Sequence, residues 1–255
     1  MAFSIAGDVY DRFMGRYSRE LAPRLIGFAG VTAGTRALDV GCGPGALASA
    51  LAAVIGPDHV AAADPSQPLL AACAVRVPGA DVRQAPADAL PWADDTFDAA
   101  LAQLVVNFLP DPVAGAREMA RVTRPGGAIA ACTWDYGDGM TMLHTFWESA
   151  RALDPGAPDE ARTMAIQTAA DLRGVWEGAD IAEIETGELV VETGYRDFDD
   201  LWQPFLGGPG PAGAYTARLD PAPQAALRDE FRARLGSPTG PFTLRAKAWA
   251  VRGVA

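Results

Sequence analysis

The run Ala37-Leu38-Asp39-Val40-Gly41-Cys42-Gly43-Pro44-Gly45 leads into Ala46-Leu47-Ala48-Ser49-Ala50-Leu51, so three glycines separate an apolar stretch from an alanine-rich one. Glycines there let a ligand reach the backbone, and the N–H groups of a following helix end point at it. A dinucleotide, a phosphate or an adenosyl group would each suit such a loop. Gly41, Gly43 and Ala46 also satisfy the loose GxGxxA dinucleotide pattern. Asp64, after the apolar segment His59 to Ala63, can hold ribose hydroxyls under either reading. Gln103 closes another apolar run, Arg16 offers a planar guanidinium for a carboxylate, and His144 is the one imidazole beyond residue 135 that could serve as a general base.

Elements that would position these groups follow from hydrophobic pattern. Strands are predicted at Arg36 to Val40, His59 to Ala63, Asp81 to Ala85, Phe97 to Val105 and Ala128 to Trp134, with helical periodicity between them. That alternation is the signature of a parallel sheet covered on both faces. In such sheets ligands bind outside the carboxyl ends of the strands, where Asp64 and Gln103 fall. Later segments predict helices at Met140 to Ala152, Ala169 to Glu177, Asp199 to Phe205 and Gln224 to Leu235, and a strand at Ile184 to Glu192. Leu206 to Gly213, LGGPGPAG, reads as a mobile loop that could form part of a lid, and Phe242 to Val251 as a half-solvated edge strand.

Composition narrows the partners. The chain has 255 residues and a formal charge of -11, with 21 basic residues of which Lys247 is the one lysine. No basic run offers itself to nucleic acid. No apolar run is long enough to span a membrane, and the start lacks the features of a secretory signal. The three cysteines form no CxxC pair and no Cys/His spacing for a metal, which suits a reducing cytoplasm. Cys42 reads as a small filler of the glycine loop. A single domain is expected, without a marked boundary; the oligomeric state is left open.

Asp39 to Gly45 resembles the DxGCGxG loop of class I S-adenosylmethionine-dependent methyltransferases, and further matches follow in order: Asp64, then Ala87-Asp88-Ala89-Leu90-Pro91, Asp94 to Asp98, and Arg124-Pro125-Gly126-Gly127. The resemblance covers residues 8 to 135 and is closest to the small-molecule type 11 branch. It implies a Rossmann-like, seven-stranded, mostly parallel α/β sheet with an antiparallel last strand and helical cap insertions. Residues 1–30 would form an N-terminal cap, 31–135 the cofactor core, and 136–255 the acceptor-site insertions and last strands.

The resemblance also implies roles. S-Adenosylmethionine would enter and S-adenosylhomocysteine leave, with Gly41, Cys42, Gly43 and Gly45 in the loop and Asp64 with Pro65 at the ribose. Asp39 would orient the amino group, Asp88 the adenine amino group, and Ala87 or Ala89 would offer N–H to the ring. Gln103, Arg16 and Tyr10 would serve the methionine end. Trp134, Tyr136, Trp147, Trp202, Phe205 and Tyr215 would line an aromatic, mainly apolar pocket for a small acceptor. A nicotinamide-dependent oxidoreductase and a non-catalytic adenosylmethionine-binding protein are the competing readings.

Overall fold

A computed structural model describes residues 11–208 and 210–255. Five strands run parallel: β1 (Ala37–Val40), β2 (Val60–Asp64), β3 (Asp81–Gln84), β4 (Phe97–Gln103) and β5 (Thr123–Trp134). Two longer strands follow, β6 (Ala182–Tyr195) and β7 (Phe242–Val254), giving a seven-stranded sheet in the order β3-β2-β1-β4-β5-β7-β6. β7 is antiparallel to both β5 and β6. It is therefore interior to the sheet, and β6 is the edge, contrary to the expectation for Phe242 to Val251.

Helices cover both faces, as burial of the central strands requires. α1 (Arg16–Ala29), preceded by a π-helical turn at Asp11–Gly15, buries Tyr17, Leu21 and Leu25 at a four-residue spacing, and α2 (Ala46–Ile55) adds Leu47 and Leu51. Both pack on the face formed by Ala37, Ala62, Ala99, Leu101 and Cys132. Alternate strand residues Leu38, Val40, Ala61, Ala63, Ala100 and Ile129 face the opposite layer. There α4 (Pro112–Val122) contributes Met119 and Val122, and α7 (Ala169–Gly178) contributes Leu172 and Trp176. α3 (Gln67–Arg76) packs beside β2 and β3.

The second half adds a helical layer over the carboxyl ends of the strands. It comprises α5 (Thr141–Leu153), the short α6 (Glu160–Thr163), α8 (Phe198–Leu206), α9 (Gly210–Arg218) and α10 (Pro221–Arg234). Of the Gly/Pro segment expected to be a mobile loop, Leu206 ends α8 and Gly210 to Gly213 form the first turn of α9. Proline in a first turn loses no hydrogen bond, so Pro211 helps to start that helix. No helix among the described residues is long and apolar enough to cross a membrane.

Candidate active site

Strand order reverses at β1, between β2 and β4, and the crevice at such a reversal opens beyond the carboxyl ends of the strands. A cavity of about 800 Å³ occupies that position. Its lining includes Asp39, Gly41, Cys42 and Gly43 after β1, Asp64 and Pro65 after β2, Gln103 at the end of β4 and Trp134 at the end of β5. Ala87 and Asp88 line it from the loop after β3.

The two inner carboxylates are held by backbone. Asp39, 1% exposed, accepts the Ala48 N–H of α2 at 2.8 Å. Burial raises its pKa to about 8, the Ala48 bond opposing the shift and the charge of Asp64 adding to it. Asp64 accepts the Gly43 N–H at 2.9 Å and the Ser66 N–H at 2.8 Å, tying the glycine loop to the end of β2. Burial also raises the Asp64 pKa, against those two bonds.

The three loop glycines have distinct tasks. All have positive φ, but a Cβ on Gly41 would lie 2.4 Å from Val105 Cγ2 and one on Gly45 would lie 2.9 Å from Cys73 Sγ. Their bareness therefore serves packing. A Cβ on Gly43 would meet nothing within 4 Å, and Gly43 lies on the cavity wall, so its open side is space for a ligand. Cys42 is buried between them, and its hydrogen bond with Cys73 and its burial push the thiol pKa upward, away from nucleophilic use.

Five carboxyl side chains line the cavity, from Asp39, Asp64, Asp88, Asp111 and Glu160, and no Lys, Arg or His is among the described lining residues. Residues 1–10 and Pro209 also contain no Lys, Arg or His. Three further lining residues carry a buried polar atom with no partner among the described residues: Ser18 Oγ, Gln103 Oε1 and Trp134 Nε1. Gln103 uses its amide N–H to hold the Ser18 carbonyl at 3.0 Å, which joins β4 to α1. The arrangement suits a ligand carrying positive charge and hydroxyl groups, and repels a pyrophosphate.

Several expected site residues are elsewhere. Arg16 does not line the cavity; its guanidinium contacts Asp200 at 3.3 Å and lies over the Tyr195 ring, in a separate surface recess. His144 is on the partly exposed side of α5, with Nε2 3.7 Å from Glu148, and is not in the lining. Gly45 and Ala89 are also outside the lining, and the Ala89 N–H is bonded to the Pro86 carbonyl. Trp134 and Tyr136 reach the cavity, whereas Trp147, Trp202, Phe205 and Tyr215 do not. Trp202 and Phe205 stack on each other and pack with Phe146 and Phe231, so this aromatic cluster is core. Tyr10 lies outside the described residues.

Other lining residues were not legible as such. Phe13, Met14 and Ser18 arrive from the N-terminal helical region, Gly210 and Pro211 from α9, and Glu160 from α6. Leu104 holds a left-handed conformation with φ 63°, which costs about 1–2 kcal/mol for a non-glycine residue and ends β4 abruptly at the cavity. Glu160 is 4% exposed, with Oε2 accepting the Trp147 indole N–H at 2.8 Å. The short segment Asp159-Glu160-Ala161-Arg162-Thr163 has too little periodicity to announce a buried carboxyl.

Residues 38–131 match the family model described as "Methyltransferase domain". An uncharacterized protein of Mycobacterium tuberculosis is 35% identical over 148 residues, covering 55% of this chain and 52% of that protein. The chain thus spans about half the length of the mycobacterial relatives it matches. The malonyl-[acyl-carrier protein] O-methyltransferase of Pseudescherichia vulneris is 32% identical over 177 residues, covering 69% of this chain and 67% of that one. A Bacillus halodurans chain described as a candidate methyltransferase has the same fold at a TM-score of 0.59 and 16% identity, covering 91% of this chain and 97% of that one. So does Haemonchus contortus phosphoethanolamine N-methyltransferase 2, solved with phosphomonomethylethanolamine and S-adenosylhomocysteine, at a TM-score of 0.56 and 14% identity, covering 97% and 59%.

Proposed function

The chain belongs to the class I S-adenosylmethionine-dependent methyltransferases, and on that premise we propose that it methylates a small, partly apolar or aromatic metabolite drawn into the inner part of the cavity. Its cofactor is S-adenosylmethionine and the product S-adenosylhomocysteine. The described residues fit that cofactor: carboxyls face the cavity and no described lining residue is basic, Gly43 leaves open space, and Ser18, Gln103 and Trp134 carry buried polar atoms with no partner among the described residues. The absence of cations among the described lining residues is the observation that carries the reading.

In this reading Asp64 holds the ribose diol with the lone pairs its two backbone bonds leave free. Asp88 receives the adenine amino group, and Asp39 with Gln103 Oε1 receives the ammonium, directly or through water. When bound, the cofactor supplies a sulfonium methyl already activated for in-line displacement, so positioning of the acceptor provides most of the acceleration. Phe13, Met14, Trp134, Tyr136, Leu143 and Pro211 supply that positioning and keep water from the reacting atoms. The Pseudescherichia vulneris relative is named for an acceptor that bears a carboxylate. This cavity has no cation in its described lining to receive one, which supports a neutral acceptor instead.

Calorimetry with S-adenosylhomocysteine and with NADH tests the cofactor, and labelled S-adenosylmethionine offered with phenols, hydroquinones, amines and thiols tests the transfer. Binding of S-adenosylhomocysteine alone and label in one acceptor class are expected. NADH binding without S-adenosylhomocysteine binding would sink the proposal.

A further inference from the structure

The cavity contains two carboxyls that the cofactor reading leaves unused, Asp111 and Glu160. Glu160 lines the cavity from α6, and its partner Trp147 lies one turn after Leu143 of α5, which also lines the cavity. Asp111 caps α4 by accepting the Ala114 N–H at 2.9 Å. Glu160 is fixed by its bond from Trp147 in α5, and its sequence neighbour Asp159 is neutralised by Arg151 of the same helix at 2.8 Å. Among the described residues Glu160 forms no ion pair with a cation, and Tyr136 is a further titratable side chain of the cavity lining.

Resting on the methyl-transfer reading, we propose that Glu160 is the general base of the reaction and that the acceptor is a neutral hydroxyl compound of phenolic type. An amine entering as ammonium would share the cavity with the sulfonium, and like charges in a low-dielectric site repel. A neutral hydroxyl avoids that and loses its proton as it reacts. As the acceptor oxygen bonds to the methyl carbon, the carbon–sulfur electron pair returns to sulfur and the hydroxyl proton passes to a Glu160 carboxylate oxygen. Burial raises the Glu160 pKa to about 7, with the Trp147 bond opposing the shift and the charge of Asp159 adding to it. A base poised there is matched to neutral conditions.

The test uses Glu160→Gln, which keeps an oxygen for the Trp147 N–H but cannot take a proton, with phenols of graded acidity as acceptors. Wild-type kcat is expected to rise through a limb near pH 7; the variant should lose that limb and about 100-fold in kcat, with S-adenosylhomocysteine affinity unchanged. Calorimetry provides a readout apart from turnover. Phenol binding to the S-adenosylhomocysteine complex near pH 7 should release protons from wild type, because a hydroxyl bonded to the carboxylate favours ionisation, and should release none from the variant. Full kcat with an intact limb in the variant, or equal proton release from both proteins, would overturn the assignment. Turnover of amines or thiols with no phenol accepted would overturn it too while leaving methyl transfer standing. A failure of S-adenosylhomocysteine to bind would instead defeat the underlying reading.

Discussion

Replacing Asp39 with Asn should make the ligand-free protein more stable in neutral and mildly alkaline solution. The Asp39 carboxyl titrates at 3.8 when exposed to water and at about 8 in the fold, principally because it is buried. Between those values the unfolded chain carries the charge and the folded chain carries the proton. Unfolding then releases a proton, so raising the pH favours the unfolded state. At about 1.4 kcal/mol per pH unit, the loss between about pH 5 and pH 8 integrates to about 4 kcal/mol. Asn can still accept the Ala48 N–H at 2.8 Å, so the backbone bond survives while the titration disappears. Denaturant unfolding followed by tryptophan fluorescence across that range should show the wild-type midpoint falling and the variant falling much less. Asp64 and Glu160, whose pKa values are also raised by burial, leave a residual slope of the same sign in both proteins. The difference between the two curves therefore isolates Asp39. Midpoints that move in parallel would refute the reasoning. Saturating S-adenosylhomocysteine should flatten the wild-type curve as well, because an ammonium beside Asp39 favours the charged form.

Asp64→Asn leaves either the Gly43 or the Ser66 N–H without its oxygen and should weaken S-adenosylhomocysteine binding by about tenfold or more; unchanged affinity by calorimetry would remove its ribose role. Gly41→Ala should destabilise the fold by about 2–3 kcal/mol in chemical denaturation, because the new methyl group collides with Val105. Gly43→Ala should cost only about 1 kcal/mol of stability yet weaken S-adenosylhomocysteine, and the reverse ranking would contradict the division of labour in the loop. His144→Ala should leave turnover within about twofold of wild type, as expected of a surface substitution; a tenfold loss in initial rate would return it to the reaction.

The first five strands were readable because buried parallel strands separated by helices leave a pattern that few other folds share. Asp39, Asp64 and Gln103 are marked by strand ends and the glycine loop, and Asp88 by the resemblance of Ala87 to Pro91 to a family segment; all four line the cavity. β7 was misplaced because alternation reports which face of a pleat meets solvent and says nothing of whether both edges are paired. Its buried Leu244, Ala246, Ala248 and Ala250 share one face while the neighbours on the other are more open. The tryptophans after residue 134 look alike in sequence, yet Trp134 reaches the cavity while Trp202 stacks against Phe205. That choice is made by helix packing among distant segments. Glu160 escaped notice since its meaning comes from burial against Trp147, and no local pattern encodes it.

The position of β7 bears on how the chain assembles. β5 and β6 each need β7 as their neighbour and do not pair with each other. Until Phe242–Val254 docks, both strands expose an unpaired backbone edge, and α8, α9 and α10 must be spanned before the pairing forms. Such long-range pairing is slow, and bare strand edges recruit other chains. β6 carries exposed Glu183, Glu185, Glu188 and Glu192, charges of the kind that guard a sheet edge against pairing with another chain; in the folded sheet Glu185 and Glu188 are also engaged by Arg252 and Lys247 of β7. Largely buried β5 has no such guard over Ala128 to Trp134. The arrival of β7 is thus the event that converts an aggregation-prone half-sheet into a self-limiting one.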